Sequence, residues 1–358
     1  MRAFAAALLT AIATCVVAPV QAASGFKIVT ASERGTYIKI GQDLAQYVAP
    51  RANLRLDVLP SAGSAENVRR LRYEPGVKLA LVQSDVYQAF LDQAAAGNAD
   101  AANLIRPLRV VMPLYNEEIY FVVRADSPLN TVDDIRGLRI NAGLVGSGTA
   151  LTTTTLYKLM FNEPLADANA SFMSNEEALA KLVTDRSVDV VAIIAGQPAK
   201  VLADMKPESR KYVKLLRFDP NHASSEAVLR TYFTATVRAA SYPNLLTEDL
   251  PALAVKAYLV TYEFDLGNTR AALRRFARAM CDTFDVLQAN GHPKWREVEL
   301  ALPDLGQGWS YYAPTAREFK ACIASSARRR PAATADAPAV PRARAVCSQQ
   351  ERVLGLCR

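Results

Sequence analysis

Short apolar runs alternate with helix-patterned stretches along most of this chain, and that alternation constrains its fold more than any other feature. Residues 26–30, 54–59 and 77–82 are apolar runs of strand length. Each is followed by a stretch whose apolar residues recur every three or four positions: Ile38, Leu44, Ala45 and Val48, then 64–71, then 84–95. That spacing places apolar side chains on one face of a helix. Strands alternating with helices build βαβ units, whose parallel sheet is covered on both faces. The pattern predicts further strands at 108–112 and 119–123, on either side of the polar stretch Tyr115-Asn116-Glu117-Glu118. A capping box at Thr131-Val132-Asp133-Asp134 opens a short helix that Gly137 closes. The series then restarts, with a strand at 138–142, helices at 149–161 and 176–183, and a strand at 188–194. Two tandem βα series predict two lobes. A strand at 232–237 and helices around 250–259 and 268–288 read as a return to the first lobe, giving 23–118 and 233–324 in one lobe and 119–232 in the other.

Sheets of this kind bind ligands beyond the carboxyl ends of their strands, in the loops that lead to helix starts. Four such loops are rich in small and polar residues. The first is Asn141-Ala142-Gly143-Leu144-Val145-Gly146-Ser147-Gly148-Thr149, where glycines let backbone approach a ligand and the free N–H groups of the helix start favour a carboxylate or phosphate. Gly143 and Gly148 have the spacing of a phosphate-binding P-loop, but Thr149 stands where that motif needs lysine, which disfavours nucleotide hydrolysis. The others are Ser61-Ala62-Gly63-Ser64-Ala65-Glu66-Asn67, Gln83-Ser84-Asp85 and Gly196-Gln197-Pro198. Each has a plainer reading as a helix cap or tight turn. Together they converge on one cleft, with Ser147, Thr149 and the backbone from Gly146 to Thr149 holding the anionic end of a ligand, and Tyr37, Asn67 and Gln83 meeting it from the opposite lobe.

Arg2 precedes an apolar run from Ala3 to Val20, and Val20-Gln21-Ala22 suits a signal peptidase, so residues 1–22 read as a cleaved secretory signal. Cys15 makes a poor lipobox, because Thr14 precedes it and the apolar run continues past it. The formal net charge is +7, but the segment from Arg328 to Arg358 holds seven arginines against Asp336 and Glu351, so the body is close to neutral. No clustered basic face with interleaved aromatics marks a nucleic-acid binder. Residues 325–358, rich in Ala, Pro and Arg, read as a flexible extension. Cys281, Cys322, Cys347 and Cys357 remain after processing, an even number that favours disulfides in an exported chain. Of the three pairings four cysteines allow, Cys281–Cys322 tying two helices and Cys347–Cys357 closing a short loop is the one expected. There is no CxxC pair and the two histidines, His222 and His292, are isolated, so neither a zinc site nor any other metal or cofactor is expected.

Five ordered motifs carry a family resemblance: Gly35-Thr36-Tyr37 with Gly41, Gly63-Ser64-x-Glu66-Asn67, Val82-Gln83-Ser84-Asp85, Gly143-x-x-Gly146-Ser147-Gly148-Thr149 and Gly196-x-Pro198. They resemble the TAXI solute-binding proteins, the extracytoplasmic components of TRAP transporters, over residues 26–320. Glu33-Arg34 departs from the pattern, where small residues and a paired glycine are usual. The resemblance implies a type II periplasmic-binding-protein fold, with two βα lobes joined by crossover hinge strands. It further implies a ligand such as glutamate, glutamine or a related dicarboxylate, and TRAP membrane permease subunits as partners. The site it implies comprises Thr36, Tyr37, Ser64, Asn67, Gln83, Gly146, Ser147, Gly148, Thr149 and Gly196.

Catalysis is not expected. A Cys–His nucleophile lacks a placed histidine, no GxSxG elbow is present, and Asp133-Asp134 is a capping pair rather than an acid–base dyad. The expectation is a periplasmic monomer that closes on a small anionic or zwitterionic metabolite by hinge motion. A sensing module presenting its closed form to another receptor fits the same residues.

Overall fold

The computed structural model describes residues 24–33, 35–306 and 308–329. The expected signal, the tail beyond Arg329 and the Cys347–Cys357 pairing lie outside the described residues. The chain opens with β1 (Ser24–Val29), α1 (Thr36–Asp43), β2 (Leu54–Leu59), α2 (Ser64–Tyr73), β3 (Val77–Gln83), α3 (Val86–Ala95) and α4 (Ala99–Ile105). A long strand, β4 (Leu108–Arg124), leads to β5 (Ile140–Asn141), α5 (Gly148–Phe161), β6 (Ala170–Ser171), α6 (Asn175–Val183), β7 (Val190–Ala195) and α7 (Lys200–Ala203). Next come β8 (Val213–Leu215), α8 (Ser225–Val228), β9 (Phe233–Val237) and a second long strand, β10 (Leu250–Tyr262). The helices α9 (Gly267–Asp282), α10 (Phe284–Asn290) and α11 (Ala313–Arg329) complete the fold.

The protein is a mixed α/β fold whose single sheet runs in the order β2-β1-β3-β10-β4-β7-β5-β6, with β8 on β4 and β9 on β10. β1 lies parallel to β2 and β3, and β5 lies parallel to β6 and β7. The two long strands run antiparallel to each other and to their other neighbours. β10 pairs with β9 over Leu250–Ala254 and with β3 over Ala257–Val260, so it passes from one lobe into the other, and β4 crosses beside it in the opposite sense.

Side-chain alternation sorts each lobe into two cores. In the first lobe Leu79, Leu81, Val111, Ala257 and Leu259 face α1, α9 and the buried Trp295. Their neighbours Ala80, Val82, Val110, Tyr258 and Val260 face α2, α3 and α4. In the second lobe Ile119, Phe121, Val190 and Val255 pack on α5, while Tyr120, Val122, Val191 and Ile193 pack on α6 and Tyr242.

Two expectations are corrected here. Residues 250–259 form a strand rather than a helix: Leu- and Ala-rich sequence favours helix locally, but this segment is hydrogen-bonded along both edges and buried on both faces, and tertiary pairing overrides the preference. The stretch from 108 to 124 is one 17-residue strand, instead of two strands at 108–112 and 119–123, with the polar residues in its middle. β9 pairs with β10 over Leu250–Ala254, next to the stretch of β10 that pairs with β4 at Glu117–Ile119. The capping box at Thr131 and Asp134 forms as expected on a short 3₁₀ turn.

The disulfide Cys281–Cys322 joins α9 to α11, as expected, and closes a sequence separation of 41 residues. The same helix pair is tied by Glu318, which accepts from Arg274 and Arg278 at 2.8 Å. The double substitution Cys281→Ser/Cys322→Ser should lower unfolding stability by about 2–4 kcal/mol through release of the cross-linked loop in the unfolded chain. Urea denaturation of the two proteins measures this; an unchanged midpoint would mean that packing and ion pairs alone hold α11.

Candidate functional site

Where the two long strands cross between lobes, a seam of polar side chains is buried. Glu117 and Glu118 lie at its centre on β4, each about 6% exposed, and Tyr115 is covered beside them. From the first lobe, Tyr37 on the first turn of α1 donates its hydroxyl to Glu117 Oε2 at 3.0 Å. Ser64 begins α2 and accepts from the Gln83 backbone N–H at 3.0 Å. The Gln83 side chain, at the end of β3, accepts at Oε1 from Ser64 Oγ at 3.4 Å and from Thr152 Oγ of α5 at 3.5 Å, so one amide oxygen is shared by both lobes.

The glycines of the site are explained by close approach. A Cβ on Gly148 would lie 2.0 Å from Gln83 Oε1. Gly63 has φ +133°, and a Cβ there would lie 2.9 Å from the Gly148 backbone nitrogen, so the starts of α2 and α5 touch across the seam. Gly146 adopts φ +79° in the same turn. On the second-lobe side, Gly196 after β7 leaves space for Lys294: a Cβ would lie 2.5 Å from Lys294 Cε. The Lys294 ammonium is buried, donates to Glu297 Oε2 at 2.7 Å and sits 5.6 Å from the centre of the Tyr115 ring. The Gln197 backbone N–H donates to Glu118 Oε2 at 2.8 Å.

Of the expected residues, Tyr37, Ser64, Gln83, Gly148 and Gly196 meet in this seam, with Thr36 half-buried beside Tyr37. Asn67 is wholly engaged within its own lobe: its amide donates to the carbonyls of Thr30 and Leu81, and its Oδ1 accepts from Ser61 Oγ at 2.6 Å. It pins the β2–α2 loop to the ends of two strands. Ser147 Oγ accepts from the Ala150 N–H at 3.0 Å and so caps α5, while Thr149 packs its methyl against Gly143, leaving its hydroxyl outside the capping bond.

Sequence reasoning missed Glu117, Glu118 and Lys294 as seam residues. Adjacent glutamates between two apolar runs were the available signal; they read as a polar stretch separating two strands rather than as part of one continuous strand. Lys294 sits in a short 3₁₀ turn with no motif to mark it. Among the described residues, no group of three or more His, Cys, Asp or Glu is placed to hold a metal, and no helix is long and apolar enough to cross a membrane.

A family model matches residues 28–301, which include every residue of the seam. The chain belongs to the NMT1-like family. Among solved structures, this NMT1-like chain is similar to a TctC solute binding protein from Polaromonas at 17% identity, covering 84% of this chain and 98% of that one, with a TM-score of 0.40. It is also similar to the arginine-, lysine-, histidine-binding protein ArtJ from Geobacillus stearothermophilus at 11% identity, with 78% and 97% covered and a TM-score of 0.43. The periplasmic binding protein BugD matches at 12% identity, with 85% and 96% covered and a TM-score of 0.46.

Burial dominates the electrostatics of the seam. Glu117 is pushed up to about 7, by loss of hydration first, with the hydrogen bonds from Tyr37 and Gln83 and the charge of Lys294 pulling the other way. Glu118 is also raised by burial. A carboxyl whose value in the folded protein exceeds its unfolded one favours folding while protonated, and that advantage is lost as pH rises. For Glu117 the window runs from the usual value of 4.5 to about 7. Glu117→Gln keeps the shape and removes the titration. The substitution should therefore become progressively less destabilising, or more stabilising, relative to the parent across that window, by up to about 3 kcal/mol. Chemical denaturation of both proteins at pH 5 and pH 8 tests this, and a pH-independent difference would show that Glu117 is not buried in solution.

Proposed function

We propose that this NMT1-like chain is the periplasmic solute-binding subunit of a TRAP-type uptake system, of the TAXI kind, and captures a small anionic or zwitterionic metabolite in the seam between its lobes. One observation carries the reading: the glycine-rich starts of α2 and α5, on different lobes, meet over a buried set of hydrogen-bonding side chains at the only place where two strands pass between the lobes among the described residues. Helix starts present unpaired N–H groups that suit a carboxylate. The Tyr37 hydroxyl, the Gln83 amide, the Glu117 carboxyl and the Lys294 ammonium supply donors and acceptors for the remainder of such a ligand. Strands rather than loops join the lobes, so opening takes the form of bending in β4 and β10, with ligand bridging the lobes in the closed form. The ligand then shifts the population toward that form by its preference for it.

The ligand class is tested by thermal-shift titration of the purified mature chain with glutamate, glutamine and short dicarboxylates. A true ligand at a hundredfold excess over its Kd adds about 2.7 kcal/mol of stability. Failure of every member of the set to stabilise the protein would exclude the proposed class. The residue test is Thr149→Val, because the cap of α5 is made by Ser147 and this hydroxyl makes no capping bond among the described residues. Losing a hydrogen bond to a charged ligand group costs about 1.5–3 kcal/mol, so affinity should fall about ten- to a hundredfold while the melting point of the free protein stays put. Ser147→Ala should add a stability loss of about 1 kcal/mol, since this hydroxyl also caps α5. Calorimetric titrations and melting curves of both variants separate the two roles.

A further inference from the structure

Asp85 follows β3 and stands at the cap position of α3, yet its side chain makes no capping bond. It is fully buried, and its partner belongs to the other lobe: the Tyr232 hydroxyl, just ahead of β9, lies 3.0 Å from Asp85 Oδ2. The same hydroxyl lies 3.3 Å from the carbonyl oxygen of Thr152 in α5. Asp85 Oδ1 is buried without a partner. One phenolic proton thus faces two acceptors, and a hydroxyl donates only one. The conflict disappears when Asp85 carries a proton, because its O–H then donates to the Tyr232 oxygen and Tyr232 donates to Thr152. Among the described residues no Lys or Arg pairs with Asp85. The titratable groups facing this contact are Tyr37 of α1, Tyr232 itself and Asp92 of α3, the last already paired with Lys158 of α5 at 2.9 Å.

We infer that Asp85 and Tyr232 form a latch between the lobes that closes with Asp85 in its proton-bound form, so that closing the cleft takes up a proton. Both are positioning residues, acting on the lobes rather than on ligand. The inference rests on the two-lobe closing motion proposed above but not on the identity or existence of any particular ligand. In the closed form burial raises the Asp85 carboxyl to about 6, with the hydrogen bond from Tyr232 opposing. In an open form with the cleft hydrated, the group returns toward its ordinary value near 3.8. Below both values the carboxyl is protonated in either form and closure costs nothing extra. Above both, closure must bury the charge or bind a proton. The ratio of closed to open molecules therefore falls by up to about a hundredfold as pH rises through that interval.

The test uses the mature full-length protein without added ligand. Small-angle X-ray scattering between pH 4 and pH 8 reads the radius of gyration, and a melting curve at each pH confirms folding. The parent protein should expand as pH rises through the interval. Asp85→Asn, a neutral isostere that keeps a donor for Tyr232, should stay compact and lose this pH dependence. Tyr232→Phe should be expanded at every pH, since the relay to Thr152 is gone. A parent protein whose dimensions do not change would overturn the inference, as would an Asp85→Asn profile that follows the parent. Ligand screening that fails while these profiles hold would count against the solute-capture reading alone.

Discussion

The paired crossing of β4 and β10 is the constraint on which the rest of the molecule depends. β10 pairs with β4 along one edge and with β9 and then β3 along the other, β4 passes from β10 to β7 and β8, and both strands are largely buried, so neither can be displaced without exposing backbone and core together. Their partners change along the way: β3 flanks the first-lobe end of β10, and β9 and β7 flank the second-lobe ends of the pair. Between these zones, at Asn116–Glu117 and at Val255, each strand pairs only with the other, and the register shifts just beyond, between Lys256 and Tyr258. Bending is easiest where the fewest neighbours must move. The polar residues of β4 occupy that same place.

Glu117 and Glu118 are buried at the crossing between the lobes, beside Tyr115, which packs into the first-lobe core. The cost of dehydrating a carboxylate is large unless it is paired or protonated. Lys294 offers partial compensation, but its ammonium is bonded to Glu297. The seam therefore holds carboxyls raised toward neutrality, at Glu117 and at Asp85. Perturbed groups of this sort gather where a protein binds or switches, because elsewhere a hydrophobic residue would serve stability better.

Backbone proximity accounts for the glycine loops more fully than ligand contact alone does. Gly63, Gly148 and Gly196 each face an atom of another loop or lobe closely enough to exclude a side chain. The same glycines let the lobes meet, and a larger residue at Gly148 would collide with Gln83.

The amino-acid sequence determined the local elements and the helix-start loops. Alternation at strand and helix periods is a property of neighbouring residues, so the βα units of both lobes, the capping box at Thr131, and the glycine turns around Gly63 and Gly146 were all legible in it. Tyr37, Gln83 and Gly196 could be placed at strand ends or helix starts for the same reason. Tertiary structure alone decided that residues 250–259 are a strand, since their Leu- and Ala-rich composition is compatible with either state and the edges offered by β3 and β4 chose between them. It likewise decided that Asn67 serves its own lobe and that Glu117, Lys294, Asp85 and Tyr232 share one seam. Those residues are separated by long stretches of chain, and nothing local distinguishes a glutamate destined for a turn from one destined for a buried crossing. The environment that sets its charge is built by segments that meet only when the fold is complete.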